Sequence, residues 1–113
     1  MDLEHGTSEA VRKDLNQLVL ALQSHDRIKS VILFGSTARG TRGEYSDIDL
    51  LVLTDSDAAE AASIAVKIRL ATLGKLTLPL DLLVENHKEF HVRKVLPTLE
   101  RKIAREGVVL YAT

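Results

Sequence analysis

Three aspartates and a Gly-Ser pair are the residues of this chain whose types and spacing suit chemistry. Asp47 and Asp49 flank Ile48 at the head of one apolar run, and Asp81 interrupts another, Leu80-Asp81-Leu82-Leu83-Val84. Strand side chains alternate in direction, so Asp47 and Asp49 face the same way, about 6 to 7 Å apart along the backbone. Paired carboxylates suit a divalent metal. Gly35-Ser36 closes an earlier apolar run, with ten residues between Ser36 and Asp47. A glycine lets the backbone approach a triphosphate, and Ser36 offers a hydroxyl and an N–H at a helix start. Arg39 and Arg42, on the same turn, are placed to neutralise phosphate charge.

Each feature alone has an ordinary explanation. Asp-x-Asp at a strand start is usually a solvated edge, Gly-Ser is usually a turn, and exposed turns carry arginine for solubility. Asp81 alone could pair with an arginine at a helix end. A carboxylate inside an apolar strand is nevertheless costly to bury unpaired. If its strand neighbours that of Asp49, all three carboxylates converge. Such a cluster repels itself without metal, so at least one proton is retained. Two Mg²⁺ ions relieve that repulsion and clamp an in-line phosphoryl displacement. Together the features point to a metal–nucleotide site at Gly35, Ser36, Asp47, Asp49 and Asp81.

The elements that position these residues alternate between helix and strand. Val11, Leu15, Leu18, Val19 and Leu22 recur at helical spacing, predicting a helix over 8–25 with Thr7 or Ser8 as cap. Strands are expected at 31–34, 48–53 and 80–84, the second apolar on both faces, as an interior strand requires. A short helix over 37–42 is closed by Gly43. Asp57 caps an alanine-rich helix reaching 73, with Gly74 at its stop. Asn86 followed by Glu89 suits the start of another helix. Pro97 kinks that helix or opens a new one, Gly107 ends it, and 108–111 forms an edge strand. This alternation predicts one α/β (α+β) domain over 1–113, a small mixed sheet flanked by helices.

Composition narrows the function classes. The chain has 113 residues, 45% apolar and 27% charged, and no cysteine, which excludes disulfides and thiolate metal sites. The acidic start, Met1-Asp2-Leu3-Glu4-His5, lacks a signal-peptide core, and no apolar run reaches membrane-spanning length. A cytoplasmic protein without membrane contact is expected. The net charge of −1 argues against nucleic acid as the main partner, since counterion release needs a basic excess. Phe34, Tyr45, Phe90 and Tyr111 are too few and scattered to stack bases.

Competing motifs fail. Gly35 to Gly40 has the spacing of a P-loop, but Thr41-Arg42 stands where Lys-Ser/Thr is required. His87 and His91 lie four apart, yet Glu89 is misplaced for a zinc-protease helix, and a wet face with Phe90 buried is the better reading. Lys88, Arg93, Lys94, Arg101, Lys102 and Arg105 make either solvated helix faces or a docking surface for an acidic partner.

With these residues in view, the chain resembles the nucleotidyltransferase superfamily typified by DNA polymerase β. Its Phe-Gly-Ser-x-Ala-Arg-Gly run and Ser-Asp-Ile-Asp-Leu-Leu-Val strand are most similar to the minimal nucleotidyltransferases, and the likeness is densest over 31–54. The resemblance implies a polymerase β-like fold, two Mg²⁺ ions and transfer of a nucleoside monophosphate, with ATP as the expected donor. By position, Gly35 and Ser36 hold the triphosphate, Asp47 and Asp49 bind metal, and Asp81 completes the site and takes the acceptor's proton. Larger relatives append a helical acceptor-binding domain for which this chain has no residues. The resemblance therefore implies an acceptor on another protein, an HEPN-type helical toxin adenylylated by its antitoxin. The alternatives are an antitoxin that masks its partner without chemistry, or transfer to a small molecule or an RNA 3′ end.

Overall fold

Residue types along 48–54 define the centre of the sheet. The structure, a computed structural model, describes residues 9–40 and 47–113. Strand β2 (Ile48–Thr54) is buried along almost its whole length, as its two-faced apolar sequence requires. It pairs antiparallel with β1 (Ile28–Phe34) on one side and parallel with β3 (Leu80–Asn86) on the other. Strand β4 (Val108–Ala112) adds antiparallel to the far side of β1, giving the order β3-β2-β1-β4. The mixed sheet flanked by helices is thus the predicted architecture. A parallel pair needs a crossover, and α3 (Ala58–Thr72) supplies it.

Helices cover both faces. On one face α1 (Glu9–Gln23) and α3 pack Leu15, Leu18, Ile64 and Ile68 against Val31, Leu33, Leu50, Val52 and Leu82. On the other, Phe90 from α4 (His87–Arg93) and Ile103 from α5 (Leu99–Glu106) cover Ile32, Leu51 and Leu53. Alternate β2 residues go to opposite layers, the period-2 pattern of a doubly covered strand. Asp14 lies buried in the apolar stripe of α1, where its carboxylate accepts from the backbone N–H of Thr77 at 2.8 Å and of Leu78 at 2.7 Å. These bonds fix the approach to β3.

Several boundaries differ from expectation for local reasons. The short helix α2 (Gly35–Arg39) begins at Gly35 and stops at Gly40, not Gly43, because Gly40 takes the left-handed conformation at φ 74° and caps it. Gly43, the Thr7 and Ser8 caps, and Arg42 lie outside the described residues. Asp57 accepts from the N–H of Glu60, and Asn86 from those of Lys88 and Glu89, so both anticipated caps form. Pro97 neither kinks a helix nor opens one. The Thr98 hydroxyl accepts from Arg101 N–H and starts α5, leaving Pro97 in the connection. No described helix is long and apolar enough to cross a membrane.

Candidate active site

The site begins where β1 turns into α2. Phe34 is extended and Gly35 sits at φ 73°, a left-handed conformation that an L side chain adopts only at a cost. A Cβ built on Gly35 collides with the Asp49 carboxylate and stands 3.0 Å from its Cγ. Only glycine allows the backbone this close to that carboxylate.

Register then aligns the acids. Asp49 pairs with Phe34 on one side and with Asp81 on the other, so the β1–α2 turn, Asp49 and Asp81 form one row across three strands. Both carboxylates point to the α4/α5 face of the sheet, since Leu51 and Leu83, two residues on, pack there. Burial pushes the Asp49 carboxyl above its usual range, and the charges of Asp81 and Asp47 add to this, as does a hydrogen bond with Asp81; Arg39 opposes the shift. The self-repulsion expected of a metal-free carboxylate cluster thus shows at Asp49, whose charged form is the one disfavoured.

Burial does not explain Asp81, however. It lies exposed on the edge strand, and the half-buried Asp49 carries the desolvation instead. Asp47 is exposed and acts on Asp49 through charge. Among the described residues no group of three His, Asp or Glu side chains stands close enough to hold a metal as it is. The donors fit a hard divalent cation in kind, because carboxylate oxygens crowded enough to raise an acid's pKa are relieved by one. Asp49 with Asp81 is the formed part of that set, and Asp47 lies beside it.

A cavity of about 330 Å³ opens at this row. Gly35, Ser36, Arg39 and Asp49 line one side, and Leu99, Lys102 and Glu106 of α5 the other. Arg39 is placed as expected, at the end of α2, but its guanidinium meets the Glu106 carboxylate at 3.3 Å. The contribution of α5 is the part that sequence reasoning missed. The spacing of Leu99, Ile103 and Glu106 marks one helix face without indicating which row of the sheet it covers. His87 and His91 stack edge-on at 6.5 Å beside the buried Phe90 and belong to no metal-holding group among the described residues.

A glycine turn and helix start facing in-register carboxylates belong to the class of phosphate-transfer α/β domains. Residues 15–110 match the nucleotidyltransferase domain family, and the chain belongs to that family, as a nucleotidyltransferase. It is 37% identical over 101 residues to MJ0604 of Methanocaldococcus jannaschii, assigned as a protein adenylyltransferase, covering 88% of this chain and 96% of that one. The fold matches the 1.40 Å crystal structure of a protein from Sulfolobus solfataricus, assigned as a nucleotidyltransferase, at TM-score 0.58 and 18% identity, over 94% of this chain and 89% of that one. A variant of the toxin–antitoxin complex MntA–HepT aligns at TM-score 0.56 and 25% identity, over 88% and 72% respectively.

Proposed function

We propose that this nucleotidyltransferase moves AMP from ATP to a side-chain hydroxyl, most readily tyrosine, on an HEPN-type helical protein, as the antitoxin of a pair acting in the cytoplasm. The observation that carries the reading is the row of Gly35, Asp49 and Asp81, of which Gly35 and Asp49 line a cavity. The assigned activity of MJ0604 and the likeness to MntA–HepT support a protein as acceptor.

Each residue then has a role. Gly35 and Ser36 take the triphosphate through backbone N–H groups and the Ser36 hydroxyl, and Arg39, once released from Glu106, adds a bidentate donor. Arg42 is proposed for the same anion. Asp47, Asp49 and Asp81 are the residues that would hold two Mg²⁺ ions, which when bound would offset phosphate charge. The acceptor hydroxyl gives its proton to the Asp81 carboxylate as its oxygen bonds to the α-phosphorus, and the bond from that phosphorus to the bridging oxygen breaks, releasing pyrophosphate. The exposure of Asp81 suits this role, because the acceptor must reach it from outside.

A second reading, masking of the partner without chemistry, draws on the Arg39–Glu106 pair, which occupies the guanidinium that would otherwise meet phosphate. Intact mass of the HEPN partner after incubation with this protein, Mg²⁺ and each nucleoside triphosphate separates the two. A gain of AMP on the partner supports transfer, and inhibition with unchanged mass supports masking. Label from ATP appearing only on RNA or a small molecule would overturn the protein acceptor and leave the nucleotidyltransferase standing.

A further inference from the structure

A second cavity, of about 440 Å³, lies along the outer edge of β3 and shares only Leu99 of its lining with the cavity at Gly35 and Asp49. One wall is the alanine face of α3, formed by Ala58, Ala61, Ala62 and Ala65. Facing it are three carboxylates from three different elements: Glu85 of β3, Glu89 of α4 and Glu100 of α5. Glu85 is four residues beyond Asp81 on the same strand face, about 13 Å along the backbone.

Glu100 is the unusual member. It is 9% exposed, and its Oε2 is fully enclosed with no hydrogen-bond partner among the described residues. An enclosed, unpartnered carboxylate oxygen is a costly thing for a fold to keep. Its place in the first turn of α5 favours negative charge there but supplies no donor. Glu85 is half-buried, and burial followed by the charge of Glu100 pushes its carboxyl above the usual range; Arg93 opposes this. Arg93 lines the cavity yet forms no ion pair with the three acids among the described residues. The lining therefore carries three carboxylates and one guanidinium, which acts on Glu85 through charge without closing an ion pair among the described residues.

We propose that this cavity binds an aliphatic organic cation, an alkylammonium or alkylguanidinium group, with Glu100 and Glu85 on the charged head and the α3 alanines along the methylene stem. A metal ion is the poorer fit. No three acidic or histidine side chains among the described residues stand close enough to hold one, and an alanine wall gives an inorganic cation nothing. A guanidinium or ammonium needs only hydrogen-bond acceptors on one side and accepts apolar contact along its stem. The volume falls within the range of small-ligand pockets. The same chemistry reaches the cavity as a free small-molecule amine or guanidine or as a basic side chain of another protein.

The test is a ¹H–¹⁵N NMR titration of the full chain with butylguanidinium, and with butylurea as its neutral isostere. Butylguanidinium is expected to shift amides at 58–65, 83–86 and 100, and butylurea to leave them in place. Glu100→Gln should lower the affinity by about tenfold or more, the loss of a charge-assisted hydrogen bond. If that variant does not fold, Glu85→Gln, on a half-buried strand face, carries the same expectation. Agmatine binding well above Nα-acetylarginine amide marks a free small-molecule amine or guanidine as the ligand, and equal binding marks a protein side chain. The proposal is overturned if butylurea binds as well as butylguanidinium, or if both glutamine variants keep full affinity. It also fails if Ca²⁺ or Mn²⁺ shifts these amides while butylguanidinium does not.

Discussion

Gly35 and Gly74 have nearly the same backbone conformation, at φ 73° and 76°, but opposite surroundings. A Cβ at Gly74 meets nothing within 4 Å, whereas one at Gly35 strikes the Asp49 carboxylate. Replacing each by alanine therefore separates backbone strain from damage to the site. Holding an L-residue in the left-handed region costs roughly 1 to 2 kcal/mol. In a domain of this size that is a fall in Tm of roughly 4 to 8 °C, and Gly74→Ala should show only this. Gly35→Ala carries the same strain and also forces Asp49 off its rotamer, adding about 0.5 to 1.5 kcal/mol. The larger consequence is for ligand. Mg·ATP at a hundred times its Kd adds about 2.7 kcal/mol to the native state by mass action, roughly 10 °C here. Calorimetric melts with and without Mg·ATP should show that increment in the natural protein and in Gly74→Ala, and lose it in Gly35→Ala. A Gly35→Ala variant that keeps the full Mg·ATP increment would refute the proposal that Gly35 and Asp49 form one site.

Other outcomes follow from the same geometry. Asp49→Asn should abolish transfer and, without metal, melt above the natural protein. Because the native carboxyl is raised above 3.8, the folded state holds more protons than the unfolded chain just above that pH. Apo stability therefore falls as pH rises through that window, and urea melts of Asp49→Asn should lack this component. Ser36→Ala removes one hydrogen bond to a charged phosphate, about 1.5 to 3 kcal/mol. It should lower kcat/KM by roughly ten- to a hundredfold, far less than Asp47→Ala, and equal damage would show the roles misassigned. Glu106→Gln breaks a pair that is more than a third exposed on both sides, so unfolding free energy should change by less than about 1 kcal/mol. The freed Arg39 should strengthen Mg·ATP binding, and weaker binding in this variant would argue against a phosphate role for Arg39.

Much of the site was legible because strand periodicity and pairing are encoded locally. The two-faced apolar run of β2 required an interior strand, and the apolar run containing Asp81 marked β3 as a strand without fixing it beside β2. The register of Asp49 with Asp81 follows once those strands pair. What the residues could not disclose depends on long-range packing. Amphipathic spacing marks Leu99 and Ile103 as inward, but not that α5 walls the cavity beside Asp49. Gly40 and Gly43 are equivalent as helix stops in the sequence, and the left-handed conformation of Gly40 decides between them. Asp14 carries a signal of its own, a carboxylate between Val11 and Leu15 on a buried stripe. Its partners, the backbone N–H groups of Thr77 and Leu78, are invisible to any local pattern. The argument for Asp81 from burial failed because an edge strand keeps one flank open to water.

The helix that walls the cavity is not free at both ends. At its carboxy-terminal end Gly107 fits so tightly that a Cβ would strike Ile32 Cγ2 and the Ile103 carbonyl, and β4 then runs directly into pairing with β1. At its other end Thr98 and Leu99 follow Pro97 in a connection whose apolar side chains, Val95 and Leu96, are largely exposed. Local opening of α5 is expected to pivot about Gly107, with more movement at Leu99 than at Glu106. In hydrogen exchange this becomes a gradient along one short helix, with amides near Leu99 exchanging through local opening and those near Ile103 only with the sheet.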